Sequence, residues 1–348
     1  MATLEERIAA LEAMLAALGT PDDYYVSRYS GEEIDELLSK AGTATGAVRY
    51  DAAQSLTAAQ QHTAQKNIGT TWPCNPNLLD NWYFGNPVNQ RGRTSYTVRS
   101  YTIDRWFSEN DASVSISADG LTAVGEQVII QKIEKKDYEQ IKGRVVTVSI
   151  LLSDGTFSTA SGVWDDNSQI VAYFDGGTFM CTAFPTANSF QVGRITVNSG
   201  QTKTFLAVKL ELGDTQTLAH QDANGNWVLN EIPDYGEQLR RCQRYFTMLE
   251  IPTNAFIPVV QYGGEPLDFH FVLDLPVEMR TKPAVVFENL GRVLLENGAM
   301  PTLSSTFVDE IGITTTRIAC TSNIGSALSS VSSGWFDSAG KVSISADL

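Results

Sequence analysis

The sequence predicts a mainly β protein in three parts. An N-terminal parallel helical coiled-coil stalk occupies 1–71, a central antiparallel β-sandwich 72–232, and a helix plus a β-rich C-terminal knob 233–348. Three observations predict this. The first twenty residues carry a heptad of apolar positions. From Trp72 onward the chain alternates apolar and polar residues in short runs divided by turn dipeptides. One strongly capped helix interrupts that alternation at Asp234.

The stalk is written in its spacing. Leu4, Ile8, Leu11, Leu15 and Leu18 step by 4, 3, 4 and 3, which places Ile8 and Leu15 at a and the three leucines Leu4, Leu11 and Leu18 at d. Arg7 falls at g and Glu12 at the following e, the positions where opposite charges meet across a parallel interface of identical chains. The alternative is an amphipathic helix packed on its own domain. Gly19-Thr20-Pro21 stops the pattern, and a helix of about 17 residues is marginal alone in water, so the seam needs support from downstream pairing. Two capping boxes announce further short helices. Ser30-Gly-Glu-Glu33 precedes Ile34, Leu37, Leu38 and Ala41 with Gly42 as C-cap, and Thr57-Ala-Ala-Gln60 opens a polar helix toward Gly69.

The sandwich is read from strands at Tyr96–Ile103, Ala112–Ala118, Val128–Ile133, Val145–Leu152, Ile170–Phe174, Phe190–Val197 and Lys203–Leu212. Asp119-Gly120, Asp154-Gly155, Gly176-Gly177 and Ser199-Gly200 mark turns between them. Seven or so short strands with no long helix between them imply an antiparallel sandwich, jelly roll or Ig-like. Asp234-Tyr-Gly-Glu237 then caps a helix with Leu239, Cys242 and Phe246 on one face. Strands resume at Ala255–Gln261, Phe269–Leu273, Ala284–Phe287, Val293–Leu295, Thr306–Asp309, Gly312–Thr321 and Lys341–Asp347, with prolines near their ends that blunt sheet edges.

Composition excludes several function classes. The 25 Lys and Arg against 40 Asp and Glu leave a net charge of -15, so no basic footprint for nucleic acid or anionic lipid is expected. The longest apolar runs fall far short of the roughly 18 residues of a membrane span, and the N-terminus lacks the pattern of a secretory signal. Cys74, Cys181, Cys242 and Cys320 form no CxxC pair, which argues for reduced thiols and against zinc or a disulfide framework.

Several segments resemble fibre proteins of phages and prophages. Tyr29-Ser-Gly-Glu-Glu-Ile-Asp-Glu-Leu-Leu38 and Val48 to Thr57, running on to Lys66-Asn-Ile-Gly69, resemble the short helical modules of their tail and head fibres. Asn77-Leu-Leu-Asp-Asn-Trp-Tyr-Phe84 and Tyr101-Thr-Ile-Asp-Arg-Trp106 resemble the opening of the carbohydrate-binding-module-like jelly rolls found in those proteins. Lys209-Leu-Glu-Leu-Gly213 with Tyr235-Gly-Glu-Gln-Leu-Arg-Arg-Cys-Gln-Arg-Tyr-Phe246 is similar to the junction that follows them, and Pro276-Val-Glu-Met-Arg-Thr-Lys-Pro283 to the distal knob. The resemblance implies a jelly roll in the middle and a homotrimeric adhesin of the virion, made in the bacterial host cytoplasm. Such an adhesin attaches to a tail or head protein through its N-terminal side and recognises a host-surface glycan. The number three comes from this resemblance, because Ile at a and Leu at d favour dimers in parallel coiled coils.

A non-catalytic binding role follows from the chemistry-bearing residues. His62, His220 and His270 have no catalytic company, and no nucleophile-elbow, HExxH or phosphate-loop pattern occurs. Trp164-Asp165-Asp166-Asn167 with Tyr173 and Asp175 offers an aromatic face and polar partners of the kind that sugars need, and Trp335 is a second candidate. Core packing of Trp164 and turn roles for the carboxylates are the competing readings. Two alternatives stay open: a structural fibre or decoration protein without its own ligand, and a polysaccharide depolymerase using paired carboxylates, for which Asp165, Asp166 and Asp175 are the candidates. No cofactor is expected and no metal site is assigned, although the acidic loop offers oxygens that Ca²⁺ favours.

Overall fold

A computed structural model describes residues 3–17, 30–42, 60, 64, 74–111, 113–166, 168–185, 189–253, 256–258, 268–288, 293–295, 305–313, 317–323, 333–336 and 339–347. The protein is mainly β, with several antiparallel sheets and few helices. The chain divides into two compact units, Met1–Thr57 and Ala58–Leu348.

In the first unit, α1 (Leu4–Ala17) opens on a capping box absent from the sequence reading. Thr3 N donates to Glu6 Oε2 at 2.8 Å, and Glu6 N returns a bond to Thr3 Oγ1 at 3.3 Å. The seam residues Leu4, Ile8, Leu11 and Leu15 are 47–72% exposed in the single chain; Leu18 lies outside the described residues. The expected box at Ser30 forms as well, with Ser30 N on Glu33 Oε2 at 2.7 Å, and starts α2 (Gly31–Gly42). Of the expected helix from Thr57 toward Gly69 only Gln60 and Ala64 are described, and both are helical.

The second unit contains a two-layer antiparallel sandwich. In chain order its strands are β1 (Ser95–Tyr96), β2 (Phe107–Ser108), β3 (Ser113–Ser117), β4 (Gly120–Val124), β5 (Gln127–Glu134), β6 (Val145–Leu152), β7 (Phe157–Val163), β8 (Gln169–Phe174), β9 (Gly177–Pro185), β10 (Ser189–Val197) and β11 (Thr202–Leu212). One sheet has the order β1-β3-β4-β11-β6-β7 and the other β2-β5-β10-β9-β8. Trp106, Trp164, Phe84, Phe179 and Phe205 are fully buried in the sandwich core. Gly120 is required at the β3–β4 turn: its φ is +126°, and a Cβ there would meet Phe205 O at 2.1 Å.

The strand expected over Tyr96–Ile103 does not form as such. Only Ser95–Tyr96 pairs with β3, because Thr102, Ile103, Asp104 and Arg105 are all buried and Arg105 adopts φ +73°, which reverses the chain. Strands β4, β7 and β9 and the helix α3 (Lys135–Ile141) were not legible. β7 reads Phe-Ser-Thr-Ala-Ser-Gly-Val, too small and polar to signal a strand. It is held by its ladder to β6 and by hydroxyl pairs Thr147–Ser161 at 2.7 Å and Ser149–Thr159 at 3.0 Å.

The register of β11 shifts between Phe205 and Ala207. β4 flanks its first residues, and beyond them the segment Asn77–Phe84 takes that edge. Leu78 N donates to Leu210 O, Val208 N to Trp82 O and Phe84 N to Leu206 O, at 2.8, 3.1 and 2.8 Å. A hairpin of β12 (Ala219–Gln221) and β13 (Trp227–Leu229) follows β11. There Phe157 stacks on Trp227 at 4.0 Å. Lys209 is fully buried and reaches Glu231 at 3.1 Å and Cys74 Sγ at 3.4 Å, while Glu211 accepts from Thr217 N at 2.7 Å and from its hydroxyl.

After the hairpin comes α4 (Tyr235–Gln243), capped as expected by Asp234, whose side chain accepts from Glu237 N at 2.8 Å. Phe246, expected on this helix, instead opens β14 (Phe246–Ile251). β15 (Phe256–Pro258), β16 (Asp268–Asp274), β17 (Ala284–Glu288), β18 (Val293–Leu295), β19 (Ser305–Ile313), β20 (Arg317–Asn323), β21 (Ser333–Phe336) and β22 (Gly340–Ser345) follow. They form three small sheets ordered β14-β22-β17, β15-β21-β18 and β16-β20-β19. The single strand expected over Gly312–Thr321 is two strands, since Ile313 lies directly opposite Ile318 and the chain reverses between them. Among the described residues no helix is long and apolar enough to cross a membrane.

Arg91 ties the last strand to the sandwich by bridging Asp104 at 2.8 Å and Asp347 at 2.7 Å, with its guanidinium 3.8 Å above the Phe246 ring. Burial outweighs the attraction of Arg91 and pushes the Asp104 carboxyl up to about 6. The Asp347 carboxyl is raised for the same reason. An acid with a raised folded-state pKa contributes stability that is fully present below its unfolded value and is lost as pH rises through the folded one. The melting temperature should therefore rise as pH falls from 7 toward 5. Asp104→Asn should flatten that slope; an unchanged slope in the variant means that Asp104 is not its source.

Candidate functional site

The structure separates the residues that the sequence groups around Trp164. Trp164 is a core residue: it is fully buried, its ring stands edge-on to Tyr138 at 5.1 Å, and no face remains for a sugar. Asp165 and Asp166 lie in the exposed turn after β7. Asp166 accepts from Lys142 Nζ and, at 2.7 Å, from Tyr138 Oη, and these two bonds hold its carboxyl below the usual value. Asn167 lies outside the described residues. Asp175 is 96% exposed at the far end of β8, in the turn to β9, near Lys203 at 3.4 Å. The six residues of β8, rising roughly 3.3 Å each, put about 20 Å between Asp166 and Asp175. That exceeds the 5–9.5 Å or so that paired glycosidase carboxylates need. Trp335 sits in β21 opposite Phe256.

Tyr173 presents a large aromatic surface. It is 72% exposed because β8 alternates cleanly, sending Ile170, Ala172 and Phe174 into the core and Gln169, Val171 and Tyr173 to the outside. The register builds two rows of side chains across the outer face of the five-stranded sheet. Tyr173, Thr178, Thr196 and Val128 make one row over β8, β9, β10 and β5, and Val171, Met180, Arg194 and Ile130 make the next; Val128 and Ile130, at the β5 end, are buried. Arg194 faces Glu109 at 3.6 Å, and Gln191 Nε2 donates to the same carboxylate at 3.4 Å. Glu109 is itself placed by its backbone N–H, which bonds Val128 O at 2.9 Å.

This face combines an aromatic ring, a thioether, the Thr178 hydroxyl and a half-buried Arg–Glu pair; the Thr196 hydroxyl is buried. An aromatic face packs on the apolar side of a pyranose, and fixed charged and amide groups bond ring hydroxyls. Thr178, Met180, Arg194, Thr196 and Glu109 escaped the sequence reading. The signal that could have found the first of them is the Gly176-Gly177 turn, which sets Thr178 opposite Tyr173. The pairing of β10 with both β5 and β9 leaves no trace in local sequence.

Elsewhere the polar residues are structural. Burial pushes the Cys74 thiol up to about 11, with Glu231 adding to it, so this thiol stays protonated at neutral pH. His220 Nδ1 lies 2.6 Å from Asn230 Oδ1 within the hairpin. Among the described residues no group of three His, Cys, Asp or Glu side chains converges to hold a metal ion.

The chain matches no family model and no curated protein. Among solved structures it is similar to native recombinant discoidin II of Dictyostelium discoideum, at 12% identity over 69% of this chain and 82% of that one, with a TM-score of 0.16. That score does not establish a common fold.

Trp164→Ala should lower stability by about 3–5 kcal/mol through a core cavity, measured by denaturant unfolding. A variant as stable as the parent would place Trp164 outside the core.

Proposed function

We propose that the protein is a non-catalytic fibre adhesin that recognises carbohydrate on a bacterial surface through the outer face of the five-stranded sheet. The observation that carries the proposal is Tyr173, 72% exposed on the edge strand β8 and in register with Thr178, with the Arg194–Glu109 pair beside it on the same face. The fibre organisation is proposed on separate grounds. Leu4, Ile8, Leu11 and Leu15 form an apolar seam that is 47–72% exposed in one chain, and the charges of Arg7 and Glu12 suit a parallel copy. The resemblance of the helical modules and of the Asn77–Phe84 motif to phage fibres supports a homotrimer on the virion, attached to a tail or head protein by its N-terminal side.

A shallow sugar site buries little area, so each contact is weak, on the order of millimolar. Three sites on one stalk convert later contacts into intramolecular ones, raising apparent affinity by roughly 10² to 10⁴. Light scattering of the intact chain should give about three times 38.0 kDa. A monomer at every concentration would overturn the fibre reading.

Tyr173→Ala should leave the melting temperature within a degree or two, since the side chain is exposed, and should abolish binding on a glycan array. Retained glycan binding by this variant would remove the sheet face from the proposal. New reducing ends released from host envelope would overturn the non-catalytic assignment.

A further inference from the structure

A second surface of the same unit has the opposite charge from the chain as a whole. A groove of about 610 Å³ runs between α4, the start of α3 and the loop before β17, and is lined by Lys136, Arg240, Arg241, Arg244 and Arg280, with Glu278 as its acid. Asp80 pairs with Arg241 at 2.7 Å, and Glu134 pairs with both Lys136 and Arg244 at 3.2 Å. With those two carboxylates and Asp137, which lies close to Lys136 and Arg244, counted beside Glu278, five cations face four acids, and the groove keeps a net +1 on a chain of -15.

Two of the cations have capacity left. Arg240 is exposed on α4 and makes no ion pair among the described residues. Arg280 is held by its own backbone, where Arg280 N donates to Arg244 O at 2.9 Å, and its Nε is buried without a hydrogen-bond partner. Four of the five cations are arginines. Their planar forks match the two or three oxygens of a carboxylate or phosphate, whereas lysine serves as a point charge. The cavity is large enough for a sugar-sized group carrying such an anion.

We propose that this groove binds an oxyanion, a carboxylate or a phosphate carried by a saccharide unit, with Arg240 and Arg280 as the principal contacts. It is a site separate from the sheet face around Tyr173 and does not depend on it. Arg241 and Arg244 complete the wall and remain tied to Asp80 and Glu134.

Calorimetric titration of the full chain at low salt with glucuronate, glucose 6-phosphate and inorganic phosphate tests the proposal. Saturable binding of at least one probe is expected, weakened about tenfold by Arg240→Ala. Arg280→Lys, which keeps the charge and loses the fork, should weaken it similarly. Glucuronate alone binding would identify the carboxylate source, and the phosphates alone the phosphoryl one. Tyr173→Ala should leave this binding unchanged, which separates the groove from the sheet face. Because Arg240 is exposed, its variant decides the matter even if substitution of Arg280 impairs folding. No saturable binding of any probe, or equal binding by parent and Arg240→Ala, overturns the proposal. So does a change in oligomeric mass of Arg240→Ala, which would make the groove an interface between copies.

Discussion

Arg105 and Asp80 form the contact on which the rest of the larger unit depends. Arg105 is buried, its Nε bonds Asp80 at 3.0 Å, one Nη bonds Lys132 O at 2.7 Å, and its guanidinium lies 3.4 Å from the centre of the Tyr245 ring. Asp80 also receives Arg241 from α4 and exchanges two backbone bonds with the Gln131 amide at 2.8 Å each. Asp80 thus binds three elements: its carboxylate holds Arg105 in the turn before β2 and Arg241 on the C-terminal helix, and its backbone holds Gln131 of the sandwich strand β5. Replacing a buried pair by apolar groups can be neutral, but removing one partner costs about 3–5 kcal/mol because it strands a buried charge. The pair therefore fixes the relation of these three elements more than it adds net stability. Arg105 holds a positive φ, a conformation costing roughly 1–3 kcal/mol that persists only because its side chain is fixed on several sides.

Asn81 extends the same junction. Its Nδ2 bonds Val88 O and Asp104 O at 2.9 and 2.8 Å, its Oδ1 accepts from Val88 N at 2.7 Å, and its backbone meets Gln238 Oε1 and Trp106 Nε1. The stretches around Asn77–Phe84, Tyr101–Trp106 and Tyr235–Phe246 are separate in sequence and converge here. Their polar residues are spent on this network, not on a ligand. A second buried set, Lys209 with Glu231 and Glu211 with Thr217, ties β11 to the segments that flank the hairpin in the same manner. Both Lys209 and Glu211 are fully buried, with partners from those segments and from Cys74.

Fixing the C-terminal helix against the sandwich has a functional consequence. It leaves Arg240 on the open side of α4 while Arg241 and Gln238 are used for docking, so one helix serves both as joint and as the wall of a cationic groove. The outer face of the five-stranded sheet is left with side chains from β8, β9 and β10 in register. Rigid elements hold the groups of both surfaces, which is what weak, repeated contacts require.

The sequence by itself determined the class of fold, the caps and the seam. Ser30–Glu33 and Asp234 cap helices because their side chains reach backbone groups three residues away, a local geometry independent of the rest of the chain. The alternation in Ile170–Phe174 likewise survives in β8, since period two is a property of one strand, whereas Val145–Leu152 in β6 is buried on both faces after its first residue. Tertiary structure decided which alternating face met water and which distant residues became neighbours. Trp164 and Tyr173 look equivalent in sequence. One is sealed against Tyr138 by α3, a helix with only Tyr138 and Ile141 buried; the other stands 72% exposed on an edge strand. Asp80 and Arg105 meet across 25 residues, and Asp80 and Arg241 across 161. No local rule encodes such pairings, because they arise only when buried charges must find partners away from water.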